Sequence, residues 1–186
     1  MRIKNANGFT IFELMIVFAL IGVITAIAAP RISDAFNRFE FSNGMRLMLG
    51  TVARAKGEAM NSGWSTSVSF ATAADGRVNY TAFVDNGNGG GTASNGLRDG
   101  SERIITTGRM PSGASLAPAA TTLTNNATGD PFTQFNATGF PMGFTPGLGV
   151  PLWYNGNVQL TTQIGGQTLI QGLGIATSGR LQIYKI

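Results

Sequence analysis

Polarity divides the chain into three stretches, each with its own period. Phe9 to Ala29 is a run of 21 residues whose sole charge is Glu13. A helix needs about 20 residues to cross a hydrocarbon core, and a carboxylate inside such a segment costs roughly 2.5–3.5 kcal/mol on insertion scales. From Arg31 to Met60 the apolar positions step by three and four. Ile32, Phe36 and Phe39 begin this stripe and Met45, Leu49, Val52 and Ala53 resume it, with Arg38, Arg46, Arg54 and Glu58 mostly off that face. Pro30 removes one backbone donor and predicts a kink rather than an end. Gly44, Gly50 and Gly57 weaken the helix locally, and Asn61-Ser62-Gly63 predicts its stop.

After Gly63 the period falls to two. Strands are expected at Trp64 to Phe70 and Arg77 to Val84, with Asp75-Gly76 turning between them and Val78, Tyr80, Ala82 and Val84 sharing a face. Further strands are expected at Arg103 to Thr107, Leu152 to Tyr154, Asn157 to Thr162, Thr168 to Ile175 and Arg180 to Tyr184. Asn155-Gly156 and Gly165-Gly166 punctuate the last hairpins. Pro111 to Pro151, rich in Pro, Gly, Thr and Ala, predicts long loops with short strand pieces, and no internal repeat is evident. One long helix whose apolar stripe needs a partner, followed by an antiparallel sheet with one apolar face, is an α+β domain. A membrane anchor with a separate juxtamembrane helix is the alternative.

Composition removes most catalytic chemistry. The 186 residues contain neither His nor Cys, so Cys/His dyads, the Ser-His-Asp triad, most zinc sites and disulfides are excluded. The nine acids are scattered, and an enzyme is not expected. The net charge of +4 reflects few acids rather than a basic tract of the kind that binds nucleic acid. The leader Met1 to Gly8 carries Arg2 and Lys4 and no acid, which keeps the N-terminus cytoplasmic and sends the chain outward. A secretory signal peptide cleaved near Ala26-Ile27-Ala28 would share that charge pattern, but the apolar run exceeds the usual length of such a signal.

Gly8-Phe9-Thr10-Ile11-Phe12-Glu13-Leu14 resembles the prepilin cleavage and methylation motif of type IV pilins and type II secretion pseudopilins. The resemblance covers the first 30 residues or so. It implies a leader (1–8) cut after Gly8 by a membrane peptidase that also methylates Phe9. It further implies a filament-core helix (9–29) with Glu13 serving assembly, and a helix weakness at Gly22 and kink at Pro30. A helical continuation (30–62) and a β-rich pilin-like domain (63–186) would follow. Once Phe9 bears the new ammonium, Glu13 could pair with it within one helix, at i and i+4, or between neighbouring subunits. A lone buried charge is costly, so an intermolecular pair would select the register of assembly.

Phe83-Val84-Asp85-Asn86-Gly87-Asn88, Asn95 to Glu102, Phe135 to Pro141 and Ser178-Gly179-Arg180-Leu181 resemble segments of the GspH/FimT (FimU) group of minor pilins. That resemblance implies a subunit of a type IV pilus or a type II secretion pseudopilus. Its partners would be the peptidase/methyltransferase, other pilins and an inner-membrane assembly platform. It would sit as a single-pass protein with a periplasmic domain and then join a filament. Composition, independently of the resemblance, suggests loops around Asp85 to Glu102 and Asn125 to Phe144 that face outward and select neighbours or cargo. A lone anchored domain without a filament is the remaining structural reading.

Two ligand readings stand beside this. Asp85, Asn86, Asn88, Asp99 and Glu102 offer oxygens to calcium, although the EF-hand spacing fails and a solvated turn is the simpler account. No cofactor is otherwise expected. Some FimT-type pilins bind DNA through a terminal Gly-Arg-x-Arg element. Here Gly179-Arg180-Leu181-Gln182 keeps one arginine, with Lys185 one step past the next same-face position. DNA uptake is thus the alternative function, and nucleic acid is not the expected partner.

Overall fold

A computed structural model describes residues 9–117, 120–144, 151–153 and 155–186. The leader expected at Met1 to Gly8, including Arg2, Lys4 and the cleavage residue Gly8, lies outside the described residues, as does Tyr154. The chain forms two units, 1–38 and 39–186.

Helix α1 (Ile11–Ser62) contains Pro30 and has both its ends capped by sequence. Thr10 opens it as the N-cap. Gly63 closes it at φ 71°, its N–H reaching the Ala59 carbonyl at 3.1 Å, the left-handed stop that only glycine adopts without strain. In the first unit the apolar side chains from Phe9 to Ile27 are exposed on every side of the helix, and so are Ile32 and Phe36. In the second unit Phe41, Met45, Met48, Val52, Ala55 and Ala59 form a buried stripe at steps of four and three. Of the expected stripe, Met45 and Val52 lie in this core and Leu49 packs against it. Phe39 and Ala53 are exposed instead, and Phe41, Met48, Ala55 and Ala59 complete the buried face, because the sheets select which flank of the apolar stripe is covered.

Two antiparallel sheets replace the single one expected. The larger runs β3 (Ile104–Arg109), β2 (Val78–Val84), β1 (Thr66–Thr72), β6 (Pro131–Phe135), β7 (Pro141–Phe144) and β8 (Pro151–Trp153), with β5 (Thr124–Asn125) also on β6. The smaller runs β11 (Leu181–Lys185), β10 (Gln167–Ile175), β9 (Gly156–Ile164) and β4 (Ser115–Leu116). Asn155-Gly156 therefore marks a change of sheet and not a hairpin. Gly165-Gly166 does form one, with φ 59° and 76° matching the primed two-residue turn.

Both sheets meet the helix stripe in one core that includes Val68, Phe70, Tyr80 and Ala82 from the larger and Val158, Leu160, Leu173 and Ile175 from the smaller. Val78, Tyr80, Ala82 and Val84 are all buried, as their alternation predicts. Gly44 is a close approach rather than a weak point. A Cβ there would meet Pro111 Cδ at 2.9 Å, so the segment entering β4 lies directly on the helix.

A short repeat also appears that the sequence reading missed. Asn126-Ala127-Thr128-Gly129 and Asn136-Ala137-Thr138-Gly139 build the same turn. In each, the Asn Oδ1 accepts from the Thr N–H, the Thr hydroxyl and the N–H four residues on, while the glycine takes positive φ. The backbone bonds match too, and they recur at Ala73 to Arg77 and Ala176 to Arg180.

Candidate functional site

The N-terminal end of α1 carries the residues that sequence singled out first. Glu13 Oε2 accepts the Thr10 N–H at 2.8 Å and the Thr10 hydroxyl at 2.9 Å, while Thr10 Oγ1 accepts the Glu13 N–H at 3.2 Å. This is a capping box, with Thr10 as N-cap and Glu13 at the third helical position. Thr10 is thus a positioning residue that the sequence reading passed over, although Thr-x-x-Glu ahead of an apolar run is its standard signal. Phe9 stands just outside the helix at 82% exposure. Nothing lies within 4 Å of a Cβ built on Gly22, and Pro30 is inside the continuous helix. By length and composition α1 contains a segment able to cross a membrane.

The second cluster is the loop from Asp85 to Glu102, which covers the other face of the larger sheet. Ser67, Phe83, Phe132 and Gln134 share that face by register, opposite the helix-facing Val68 and Phe135. Asp85 is 1% exposed and forms the hub. Its Oδ1 accepts the N–H groups of Ser94 (2.5 Å) and Asn95 (3.3 Å). Its Oδ2 accepts the Gly96 N–H (2.9 Å), the Ser67 hydroxyl (2.6 Å) and the Gln134 amide (3.1 Å). Glu102, equally buried, accepts the N–H groups of Gly87 at 2.8 Å and Asp99 at 3.3 Å. Asp99 in turn takes the Thr92 N–H and the Asn95 amide, and Asn88 donates its N–H to Asn86 Oδ1. Gly96, at φ 72°, lies so close to the Phe132 ring that a Cβ would come within 2.4 Å of it.

Burial pushes the Asp85 carboxyl above its ordinary range, against the opposing pull of its bonds from Ser67, Gly96, Ser94 and Asn95. Burial raises Glu102 as well. The Gly87 N–H opposes that rise and the negative charge of Asp85 adds to it. The carboxylate oxygens of Asp85, Asp99 and Glu102 thus accept from backbone N–H, amide and hydroxyl donors of the loop and the sheet beneath it. Among the described residues no group of three or more His, Cys, Asp or Glu side chains is arranged to hold a metal. The loop is a cap nucleated by the Asp85 and Glu102 carboxylates.

The two C-terminal cations are not brought together. Lys185 follows Leu181 and Ile183 on the core-side face of β11, while Arg180 sits in the turn ahead of the strand. Strand alternation places them on opposite faces.

Comparison with known proteins places these features. Residues 3–29 match the prokaryotic N-terminal methylation motif. The chain is 33% identical over 107 residues to the type IV major fimbrial protein FimA of Dichelobacter nodosus, covering 53% of this chain and 69% of that protein. It is 34% identical over 91 residues to a fimbrial protein of Neisseria meningitidis serogroup B, covering 47% of this chain and 54% of that one. The chain thus spans about half the length of the Neisseria relatives it matches. These relatives are fimbrial proteins, not enzymes. No solved structure matches.

Proposed function

The chain belongs to the type IV fimbrial proteins, and from that premise we propose that it is a minor pilin or pseudopilin, cut after Gly8, methylated on Phe9 and built into a filament. The observation that carries this reading is the exposed apolar stretch of α1 up to Ile27, which begins with the Thr10–Glu13 cap. Such a surface requires lipid or other helices around it. Moving from lipid to a bundle of similar polarity loses little hydrophobic stabilisation, which suits a subunit that is anchored first and assembled later. The anchored form would keep its N-terminus cytoplasmic and its β-domain periplasmic.

Glu13 has a defined task in this scheme. Thr10 occupies Oε2 and fixes the side chain, so Oε1 is the oxygen that turns toward a cation. We assign that cation to the Phe9 ammonium of a neighbouring subunit, which makes subunit stagger the variable that the pair controls. The work is architectural. Processing enzyme, other pilins and an assembly platform are the proposed partners. A role in pilus initiation or in protein secretion follows from which filament the subunit enters. The DNA-uptake alternative draws little support from Arg180 and Lys185, which lie apart.

Intact mass and N-terminal analysis of the membrane-extracted protein test the reading. A mature chain starting at methylated Phe9 is expected, with Glu13→Gln processed normally yet absent from sheared filaments. A start near Pro30, or normal incorporation of Glu13→Gln, would overturn it.

A further inference from the structure

Tyr184 lies on the outer face of the smaller sheet in an arrangement that core packing does not require. Alternation along β11 puts Gln182 and Tyr184 opposite Leu181 and Ile183, which pack toward the core. Directly across from Tyr184 in β10 is Gly172, and a Cβ there would fall 2.2 Å from the phenol ring. Gly174, two residues on, leaves the ring edge 3.6 Å from its own would-be Cβ. These two glycines weaken a strand interior, and their use is to let the ring lie down on the backbone of β10. The ring then reaches β9, where the side-chain amides of Asn157 (2.5 Å) and Gln159 (3.2 Å) donate to its oxygen. Asn157 is itself fixed, its Oδ1 accepting the Thr122 N–H at 3.1 Å and hydroxyl at 2.9 Å. One ring face is thus held by backbone and the phenol oxygen by two amides.

The half-exposed ring forms part of an open cleft of about 370 Å³, bordered also by Thr122, Asn155, Asn157, Gly174 and Gln182. Every polar group on this border is an amide, a hydroxyl or backbone. No described lining residue is charged, and neither Arg180 nor Lys185 reaches it. A fixed aromatic plane beside neutral groups that both donate and accept matches a ligand with an apolar C–H face and a rim of hydroxyls. An anionic ligand would find no counter-charge here.

We propose that this cleft binds a neutral saccharide, which stacks on the Tyr184 ring and hydrogen-bonds through its hydroxyls to Gln182 and Asn155. The site lies wholly within the β-domain and is independent of the filament reading. Thr122 and Asn157 act as positioning residues behind the ring.

Saturation-transfer NMR and calorimetry on the full chain, held in a zwitterionic detergent free of sugar headgroups, test this with cellotetraose, maltotetraose and chitotetraose. At least one is expected to bind with a Kd of about 0.1–1 mM, typical of a shallow open site. Tyr184→Ala should abolish the signal. Gln182→Ala, at an exposed position that leaves the fold intact, should weaken binding about three- to tenfold. Saturation transfer should fall on the sugar C–H protons of one ring face. Failure of all three saccharides at about 10 mM overturns the proposal. So does binding that survives both substitutions, or a cleft that instead takes an oligothymidylate in a Tyr184-dependent manner.

Discussion

Asp85 shows how one buried carboxylate can organise a whole loop. It draws three consecutive backbone N–H groups, Ser94 to Gly96, onto two oxygens and ties them to β1 and β6 through Ser67 and Gln134. Asp85→Ala leaves these donors without an acceptor in a buried setting, and a loss of about 3 kcal/mol is expected in thermal or urea melts of the detergent-solubilised chain. The pH dependence has a definite sign. Burial raises both Asp85 and Glu102, so their contribution to stability is complete below the ordinary carboxylate values near pH 4 and is lost as pH rises through the elevated ones. The melting midpoint should therefore fall as pH rises from about 4 through the elevated values, and fall less in Glu102→Gln. A midpoint that climbs over that interval would mean the N–H bonds outweigh desolvation. The sequence displays these acids and makes a solvated turn the simpler account of them, beside a calcium site. Only the direction of the surrounding N–H groups, which depends on the loop's path, distinguishes a carboxylate that binds metal from one that binds backbone.

Among the elements, helix α1 and the strands β1, β2, β9, β10 and β11 lie within a few residues of their expected bounds, because each has a regular period or, for β11, a turn signal directly ahead of it. Pro111 to Pro151 yielded only its general character. There β4, β5 and β7 are two to four residues long, too short for a period to register, and β6 lies among Pro, Gly and Asn turns that break the pattern on both sides. What organises that region is turn chemistry, the repeated Asn-Ala-Thr-Gly. The two copies differ in surroundings, which gives a sharp comparison. Gly129 (φ 87°) faces open space, so Gly129→Ala should cost about 1–2 kcal/mol for its left-handed backbone alone. Gly139 (φ 78°) has the same backbone, but a Cβ there would also meet Met60 Sδ at 2.8 Å. Gly139→Ala should therefore be the more destabilising of the two in parallel denaturant titrations, and equal costs would show that Met60 yields freely.

For the molecule as a whole, the buried helix residues all come from Phe41 onward, whereas every apolar side chain from Phe9 to Ile27 is exposed. The core of the second unit is thus complete without the first 38 residues. A chain beginning at Phe39 should stay in solution without detergent and melt in one cooperative transition. The full chain should partition into membranes. Aggregation of the shorter chain, or a melt spread over tens of degrees, would mean that the first unit supplies packing as well as anchorage.

Sequence by itself determined the unbroken apolar segment with its single acid, the match of residues 3–29 to the N-terminal methylation motif and the change from a helical to a strand period near Gly63. These are local patterns, and they are legible because a period or a motif needs no distant partner. Tertiary structure alone decided which helix face is buried, that the strands divide into two sheets, that Asp85 and Glu102 face N–H donors, and that Tyr184 lies flat across two glycines. Each depends on groups far apart in the chain, and the free energy of burying or pairing them exists only once the fold has brought them together.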